Sequence, residues 1–374
     1  MNVPKLRFKE FNDEWCKEYV GNLCSIQTGK SNTQDKTDDG IYPFYVRSPI
    51  IEKSHKFIFD TEAVLTVGDG VGVGKVFHYI NGKFDCHQRV YMMNNFNKIT
   101  AKYFYYIFSR DFDKRVMKMT AKTSVDSVRY EMIDKMQIFY PTVLEQNKIS
   151  RTLELLDKKI ELQSKKIEDL KLFKSSQIIN FFNKNNFAEV YIKNIGFFQS
   201  GNSLSKDCLT SSGVPIILYG DLYTKYNEVI KKVEQYTNDN KKYVKSKQNQ
   251  IIFPTSTTVN SLSLISPSSI NLDGIIYGGD ILILNLNKDV NADFLSYEIN
   301  HYKKKEFSKI AQGSTIIHIH AEDLLNCKIA LPNIVLQDKF ALTFNKLNQK
   351  IELENNKLNK LQKLKKGLMQ SMFV

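Results

Sequence analysis

Apolar residues recur at alternating spacings of four and three along two stretches of the chain, which predicts two long amphipathic helices with a heptad seam. The first seam contains Ile149, Leu153, Leu156, Ile160, Gln163, Ile167 and Leu170. The second contains Phe340, Phe344, Leu347, Ile351, Glu354, Leu358 and Leu361. Gln163 and Glu354 interrupt their seams at matching positions. A partner contact or a helix end is one interpretation, and we favour a polar layer that sets the register.

The two helices belong to a longer internal repeat. Residues 131–182 can be laid over residues 322–373 at a constant offset of 191 without a gap. The register preserves Pro141/Pro332, Gln146/Gln337 and the tetrapeptide Lys-Ile-Glu-Leu at 159–162 and 350–353. Each proline follows a short strand-like run and precedes a helix, as expected of a turn between the two. A repeat of this length predicts two copies of one structural unit, related by approximate twofold symmetry.

The segments before the helices are predicted to be mixed α/β domains. Residues 23–31 resemble residues 195–203 at an offset of 172, so the second domain carries a net 19 additional residues. We predict strands at 63–67, 76–79, 250–254 and 280–286, and helices at 101–108 and 292–302. The predicted order is a first domain at 1–144, a helix at 145–185, a second domain at 186–335 and a helix at 336–374.

Charge favours a polyanionic partner. Lys and Arg exceed Asp and Glu by 13 residues, an excess typical of DNA- or RNA-binding proteins, although a lysine-rich soluble surface is the alternative. No apolar run approaches the ~20 residues of a membrane helix. The five cysteines are odd in number and lack CxxC spacing. We therefore expect no disulfides, no zinc site and a reducing cytoplasm.

Catalytic motifs were not found. The glycine run at 68–75 does not fit a phosphate-binding loop, because Asp69 and Val76 stand where that motif requires glycine and Ser or Thr. A turn that approaches a phosphate and a structural hairpin are the remaining interpretations. Cys86-His87 and His318-Ile319-His320 lack a second ligand pair, so we predict no metal site. The chain is predicted to bind rather than to catalyse.

Base and phosphate contacts are expected in polar, basic segments of both domains, since Arg and Gln suit bidentate base readout and Ser, Thr and Lys commonly hold phosphates. The candidates in the first domain are Lys30, Ser31, Asn32, Arg47, Ser48, Lys75, His87, Gln88, Arg89, Lys122, Thr123 and Ser124. The candidates in the second domain are Asn202, Ser203, Lys206, Thr255, Ser256, Thr257, Thr258, Asn260, Ser314, Thr315 and His318.

Several segments together resemble the specificity subunit of type I restriction–modification enzymes over nearly the whole chain. These are the leader Pro4-Lys5-Leu6-Arg7-Phe8, the domain start Gly21-Asn22-Leu23 with Thr28-Gly29-Lys30, the junction Gly313-Ser314-Thr315 with Leu331-Pro332, and the terminal Leu361-Gln362-Lys363-Leu364. Lys122 and Phe139-Tyr140 depart from their counterparts Gly313 and Ala330-Leu331.

The resemblance implies a fold of two target-recognition domains, each followed by a long helix, with the two helices paired as an antiparallel coiled coil. It also implies that each domain reads one half of a bipartite, asymmetric site in double-stranded DNA. Two methyltransferase subunits would bind the helices, and restriction–translocase subunits would join them. S-adenosylmethionine, ATP and Mg would bind those partners and not this non-catalytic chain. An autonomous nuclease or methyltransferase with its own recognition domains is the alternative, and a coiled-coil adaptor without DNA contact is a third possibility.

Overall fold

The structure is a computed structural model that describes residues 3–70, 72–119, 127–238 and 242–374. The chain folds as two compact units, the first formed by Met1–Ser164 with Asn356–Val374 and the second by Lys165–Asn355. Both predicted long helices are confirmed, as Val143–Lys184 and Ile334–Ser371. Each unit therefore takes part of both helices. The four-segment division predicted above stays a prediction about chain order.

Unit 1 contains a mixed sheet and a strand pair beside its helices. Its strands are β1 Cys16–Tyr19, β2 Ser25–Thr28, β3 Tyr42–Tyr45, β4 Ile51–Ser54, β5 Phe59–Val67, β6 Phe77–Cys86, β7 Val90–Asn94 and β8 Gln137–Tyr140. Its helices are α1 Ala101–Met119, α2 Tyr130–Asp134, the first part of α3 Val143–Lys184 and the last part of the long helix Ile334–Ser371. The sheet order is β2-β7-β5-β6-β3-β4, antiparallel except for β3 beside β6, and β1 pairs with β8.

Unit 2 contains smaller sheets and more short helices. Its strands are β9 Glu189–Tyr191, β10 Gly196–Ser200, β11 Leu209–Thr210, β12 Val214–Ile217, β13 Val229–Ile230, β14 Tyr236–Thr237, β15 Gln250–Pro254, β16 Ser256–Thr257, β17 Ser268–Ile270, β18 Ile276–Tyr277, β19 Ile281–Leu286, β20 Ile317–His318 and β21 Lys328–Ala330. Its helices are α4 Asp221–Thr224, α5 Ser261–Leu264, α6 Ala292–Tyr297, α7 Lys304–Phe307, α8 Ala321–Leu325, the last part of α3 and the first part of α9 Ile334–Ser371.

The sheets of unit 2 are also mixed. One has the order β10-β19-β15-β17-β13, another has the order β11-β14-β12-β18, and β16–β20 and β9–β21 are separate pairs. The predicted helix at 292–302 changes character along its length, since Glu298–Tyr302 is a π-helix that follows α6. The predicted strand at 76–79 is the start of the longer β6, and the predicted helix at 101–108 is the start of the longer α1.

Apolar side chains on both faces of β19 pack into two different apolar clusters. Along β19, Ile281 and Ile283 enter one apolar cluster while Leu282 and Leu284 enter another. Side chains of a strand point alternately to opposite faces, so a continuous apolar run is expected where both faces are covered. The run at 280–286 was predicted as a strand, and its burial on both faces is a property of the folded unit.

The two long helices run antiparallel within each unit. In unit 1, Ile149 and Leu153 share an apolar cluster with Met372 and Phe373, and Asp157 forms an ion pair with Lys365. In these contacts the residue numbers rise along one helix while they fall along the other, which confirms the predicted antiparallel pairing for this unit.

Unit 2 repeats this arrangement with other segments of the same helices. Lys166 Nζ lies 2.9 Å from Glu354 Oε1, and Lys174 Nζ donates to Asn348 Oδ1 at 2.9 Å. Of the twelve apolar seam residues, seven are buried and five are half-buried: Ile149, Leu153, Leu156, Ile167, Phe340, Phe344 and Ile351 in the first group, and Ile160, Leu170, Leu347, Leu358 and Leu361 in the second. Glu354 is buried in this seam, as the polar-layer interpretation requires.

Gln146 and Gln337 reproduce one contact in both units. Gln146 Oε1 accepts a hydrogen bond from Thr100 N, while its Nε2 donates to the carbonyls of Lys98 and Pro141. Gln337 makes the same three contacts 191 residues further on: its Oε1 accepts from Asn291 N, and its Nε2 donates to the carbonyls of Asp289 and Pro332. The repeat therefore extends back to the start of α1 and α6, where sequence identity is faint.

Candidate nucleic-acid interface

Loops at 30–32, 45–48 and 87–89 come together in unit 1. Ser31 and His87 form a parallel β-bridge, Gln88 N donates to Ser31 O at 2.8 Å, and His87 N donates to Tyr45 O at 2.9 Å. Lys30 and Arg47 are exposed beside this bridge. Candidates from three separate segments are thus brought to one surface by backbone pairing that the sequence did not reveal.

Asp69 links two of the exposed arginines. Arg47 Nη1 lies 3.4 Å from Asp69 Oδ1, and Arg89 Nε lies 3.9 Å from Asp69 Oδ2. Both guanidinium groups remain largely accessible to solvent. Exposed ion pairs are weak, so Asp69 can orient the two arginines and still leave them able to bind a ligand. The same guanidinium groups can donate two parallel hydrogen bonds to the acceptor oxygens of a phosphate or to the acceptors on a guanine edge.

His87 is buried, unlike its neighbours Gln88 and Arg89. Its Nδ1 accepts a hydrogen bond from Arg89 N at 3.0 Å. Burial, and then the nearby Arg47 cation, lowers the pKa of the imidazole. The neutral ring therefore holds the 87–89 loop in shape, and its own contact with a ligand is limited by burial.

Ser31 and Asn32 also serve the loop itself. The Ser31 hydroxyl is buried and donates to Asp85 at 2.8 Å. Asn32 Oδ1 accepts from Gln88 Nε2, which ties the two segments together. Burial raises the pKa of Asp85, and the Ser31 hydroxyl opposes that rise. The sequence did not reveal the organising role of Asp69 and Asp85, because their partners lie in separate segments of the chain.

Residues 68–70 and 72–75 of the glycine run lie between the antiparallel strands β5 and β6, as the hairpin interpretation predicts. Gly70 and Gly74 adopt φ of 79° and 71°, which L side chains rarely tolerate. Lys75 is exposed at the end of this turn. The candidates Lys122, Thr123 and Ser124 lie outside the described residues.

In unit 2, β16 and β20 bring two predicted segments side by side. Ser256 pairs with His318 and Thr257 pairs with Ile317 in antiparallel register. Ser256 and Thr257 are buried, whereas Thr258 and His318 are exposed. Ser314 and Thr315 are exposed in the turn before β20, where Gly313 has φ of 117°.

Asn202, Ser203 and Lys206 line a cleft of about 790 Å³ together with Thr255. The Asn202 side chain is committed within the fold: its Nδ2 donates to the carbonyls of Val244 and Tyr277, and its Oδ1 accepts from Val244 N. Ser203 and Lys206 are exposed and available to a ligand. Asn260 is exposed, and its Oδ1 accepts from Ser263 N as the N-cap of α5.

Within the described ranges, no group of three or more His, Cys, Asp or Glu side chains has the arrangement of a metal site. The same part of the chain contains no helix that is long and apolar enough to cross a membrane. The loops described above form one surface with hydrogen-bond donors in each unit. This combination of fold and surface defines a class of binding proteins with two units, each of which contains paired segments of the long helices.

Comparison with known proteins assigns this class to a family. A model of the type I restriction modification DNA specificity domain matches the chain twice, at residues 12–172 and 184–363. The chain therefore belongs to the type I restriction–modification DNA specificity family. It is a specificity subunit, the recognition component and not the catalytic component.

Individual relatives and structures agree with the family. The chain is 22% identical over 404 residues to the type I restriction enzyme MjaVIII specificity subunit of Methanocaldococcus jannaschii, covering 97% of this chain and 94% of the relative. It is 25% identical over 157 residues to the EcoDI specificity subunit of Escherichia coli, covering 42% of this chain and 34% of that relative. The crystal structure of the type I S subunit from M. genitalium superposes with a TM-score of 0.66 at 17% identity, covering 100% of this chain and 99% of the other. That likeness shows the fold.

Proposed function

We propose that each unit reads one half of an asymmetric, bipartite site in double-stranded DNA. One observation carries the proposal: the same scaffold holds different loops in the two units. The Gln146 and Gln337 contacts repeat atom for atom. The candidate loops of the two units differ, with exposed Arg47 and Arg89 in unit 1 and exposed Thr258 and His318 in unit 2. Unlike surfaces on like scaffolds are suited to unlike half-sites.

The charge balance supports a DNA target. A formal net charge of +13 attracts the phosphate backbone and favours sequence-independent encounter. Phosphate contacts then position a reader, and base-edge contacts give it specificity. Exposed Lys30, Lys75 and Lys206 suit the first role, and Arg47, Gln88 and Arg89 suit the second. We expect the chain to act in the cytoplasm, in contact with DNA.

The outer faces of the long helices are the proposed docking sites for two methyltransferase subunits. Exposed leucines recur at equivalent positions of the repeat, with Leu162 57% exposed and Leu353 61% exposed. Leu144 and Val335 form a second such pair, at 75% and 74%. Large exposed aliphatic side chains that occur twice on one scaffold match a partner that binds twice.

A substitution tests this docking. Leu162→Glu and Leu353→Glu should each remove one methyltransferase subunit from the complex, because a charge would be buried in an apolar contact. Mass measurement of the assembled complex reports the loss. Retention of both subunits by the double variant would contradict the docking site.

Restriction–translocase subunits would complete the assembly, and S-adenosylmethionine, ATP and Mg would bind the partners.

Domain exchange tests the reading model. Residues 20–130 are replaced by the equivalent segment of another specificity subunit, and methylated adenines are mapped in a genome that expresses the complete complex. We expect one half-site to change while the other half-site and the gap are kept. The reciprocal exchange in unit 2 is the matched control. A change in both halves after either exchange would refute independent reading.

A further inference from the structure

One turn of the same design presents an exposed aliphatic side chain in each unit. In unit 1, Ser48 Oγ accepts a hydrogen bond from Ile50 N at 3.2 Å, and Ile50 is 66% exposed. In unit 2, Thr257 Oγ1 accepts from Val259 N at 3.3 Å, and Val259 is 72% exposed. A hydroxyl two residues earlier thus fixes the backbone of each aliphatic residue.

These turns belong to the candidate DNA-facing surfaces. Ile50 follows Arg47 and Ser48, and Arg47 is paired with Asp69 in the loop cluster of unit 1. Val259 stands between the exposed Thr258 and Asn260, and Asn260 caps α5 on the other side of the turn. Each apolar side chain is therefore flanked by groups that suit phosphates and base edges.

Both side chains are also stiff. Ile and Val are branched at Cβ, which restricts χ1 and keeps the methyl groups in a defined position. A methyl group held by a fixed turn loses little conformational freedom when it meets a ligand. Rigid presentation favours a specific apolar contact over general adhesion.

Duplex DNA offers one matching group in the major groove, the C5-methyl of thymine. We propose that Ile50 and Val259 each contact the C5-methyl of a thymine, one in each half-site. This inference rests on the proposed function and deepens it, since it assigns a base to a position in each half. Cytosine at the same position lacks the methyl and loses the contact.

The test removes the methyl from the DNA and the aliphatic group from the protein. The probe is a duplex carrying the mapped site, bound by the assembled complex of this chain with its methyltransferase subunits. Each thymine of the second half-site is replaced in turn by deoxyuridine, which keeps the hydrogen-bonding edge. One replacement should weaken binding by wild type about three- to tenfold.

The paired variant makes the test specific. Val259→Ala should weaken binding to thymine-containing DNA to a similar extent and should show no further loss with deoxyuridine at that position. Ile50→Ala should behave in the same way in the first half-site. Ile41→Ala is the matched control, because Ile41 is 78% exposed but precedes β3 and stands outside the turn. It should leave every affinity unchanged.

Failure has distinct forms. If no thymine shows coupling to Val259 or Ile50, the inference is overturned, whether the side chains act as wedges between base steps or contact a protein partner. Specific binding by wild type to the mapped site would still stand in that case. If wild type shows no preference for a bipartite site, the proposed function itself fails.

Discussion

Two glutamines do similar work at corresponding positions. Gln146 and Gln337 are fully buried, and each holds three backbone groups at the start of a long helix. Neutral buried groups that lose a partner cost more than the hydrogen bond itself contributes. Their side chains therefore join each recognition domain to its helix within one unit.

Gln146→Ala is expected to lower the free energy of unfolding by about 2–4 kcal/mol, because three backbone groups at a buried or partly buried junction lose their hydrogen-bond partner. Gln337→Ala should have a similar effect. Urea denaturation followed by circular dichroism measures both. Gln349→Ala, at an exposed position of α9, the helix that carries Gln337, is the control and should leave the free energy of unfolding unchanged. Equal curves for all three variants would contradict the account.

Glu298 is a buried carboxyl with one committed oxygen. Its Oε1 accepts from Ala330 N at 2.6 Å, while its Oε2 has no hydrogen-bond partner among the residues that the structure describes. Burial raises the pKa of this carboxyl from 4.5 to about 8, and the Ala330 amide and the Lys303 ammonium oppose the rise. The folded chain therefore keeps a proton that the unfolded chain releases.

This difference gives a sign to the pH dependence of stability. Below pH 4.5 both the folded and the unfolded state hold the proton, and Glu298 makes its full contribution to the free energy of unfolding. As the pH rises from 4.5 toward about 8, the unfolded state alone releases the proton, so the free energy of unfolding falls. Glu298→Gln keeps the acceptor for Ala330 and has no proton to lose. Urea unfolding from pH 5 to 8 should show the variant gaining on wild type as the pH rises. Parallel curves would argue against the assignment.

At the scale of elements, Glu228 joins a recognition domain to both helices of unit 2. Glu228 Oε1 lies 2.7 Å from Lys174 Nζ and 2.6 Å from His301 Nε2. Asn348 Nδ2 donates to Glu228 Oε2 at 3.2 Å. Although burial opposes it, His301 and Lys174 hold the pKa of Glu228 well below its usual range.

Unit 1 makes a related junction with a different charge pattern. Tyr106 Oη donates to Asp157 at 2.9 Å, and Lys365 pairs with the same carboxylate. The corresponding residues in unit 2 are Tyr297, Asn348 and Lys174, joined by Asn348 Nδ2 donating to Tyr297 Oη at 2.8 Å. The negative charge thus stands on the helix in unit 1 and on the recognition domain in unit 2.

Glu228→Ala should lower the stability of unit 2 by about 3–5 kcal/mol, because it leaves Lys174 buried without its carboxylate. Hydrogen exchange of amides in β13 and α6 locates the effect. Glu234→Ala is the control, since Glu234 pairs with Lys232 on the exposed surface and its loss should be silent. A large effect in the control variant would mean that the assay reports charge rather than the junction.

At the scale of the whole molecule, the helices link two recognition surfaces in one chain. Residues of α3 and α9 contribute to both compact units. If these helices set the gap between half-sites, shortening the pair should change the gap and leave both half-sites as they were. The expectation follows from helix length, which changes by about 1.5 Å for each residue.

Deletion of residues 158–164 and of the facing residues 358–364 removes one heptad from each helix. The pair then shortens by about 10 Å, the rise of about three base pairs. Methylation mapping should report a gap changed by about that amount. Deletion of a heptad from one helix alone is the contrast and should impair folding, because the apolar seam residues of one heptad on the facing helix lose their partners. New half-site bases with an unchanged gap would refute the spacer model.

Much of the fold could be predicted because its signals are local and periodic. The spacing of apolar residues from Leu153 to Leu170 predicts a helix, and the apolar run at 281–286 predicts a strand. The repeat at 191 residues then gave the two-copy design. The number of short strands in unit 2 was not predictable, because two-residue strands such as β13 depend on a neighbour and not on their own pattern.

The sequence alone therefore determined the duplicated scaffold, the paired helices and the family resemblance. Tertiary structure decided which candidate side chains remain free for a ligand. Ser31, His87 and Asn202 turn inward to hold their loops, whereas Arg47, Arg89 and Thr258 stay accessible. The physical reason is that a polar residue type records what a side chain can bond to, while its partner is chosen only when distant segments meet.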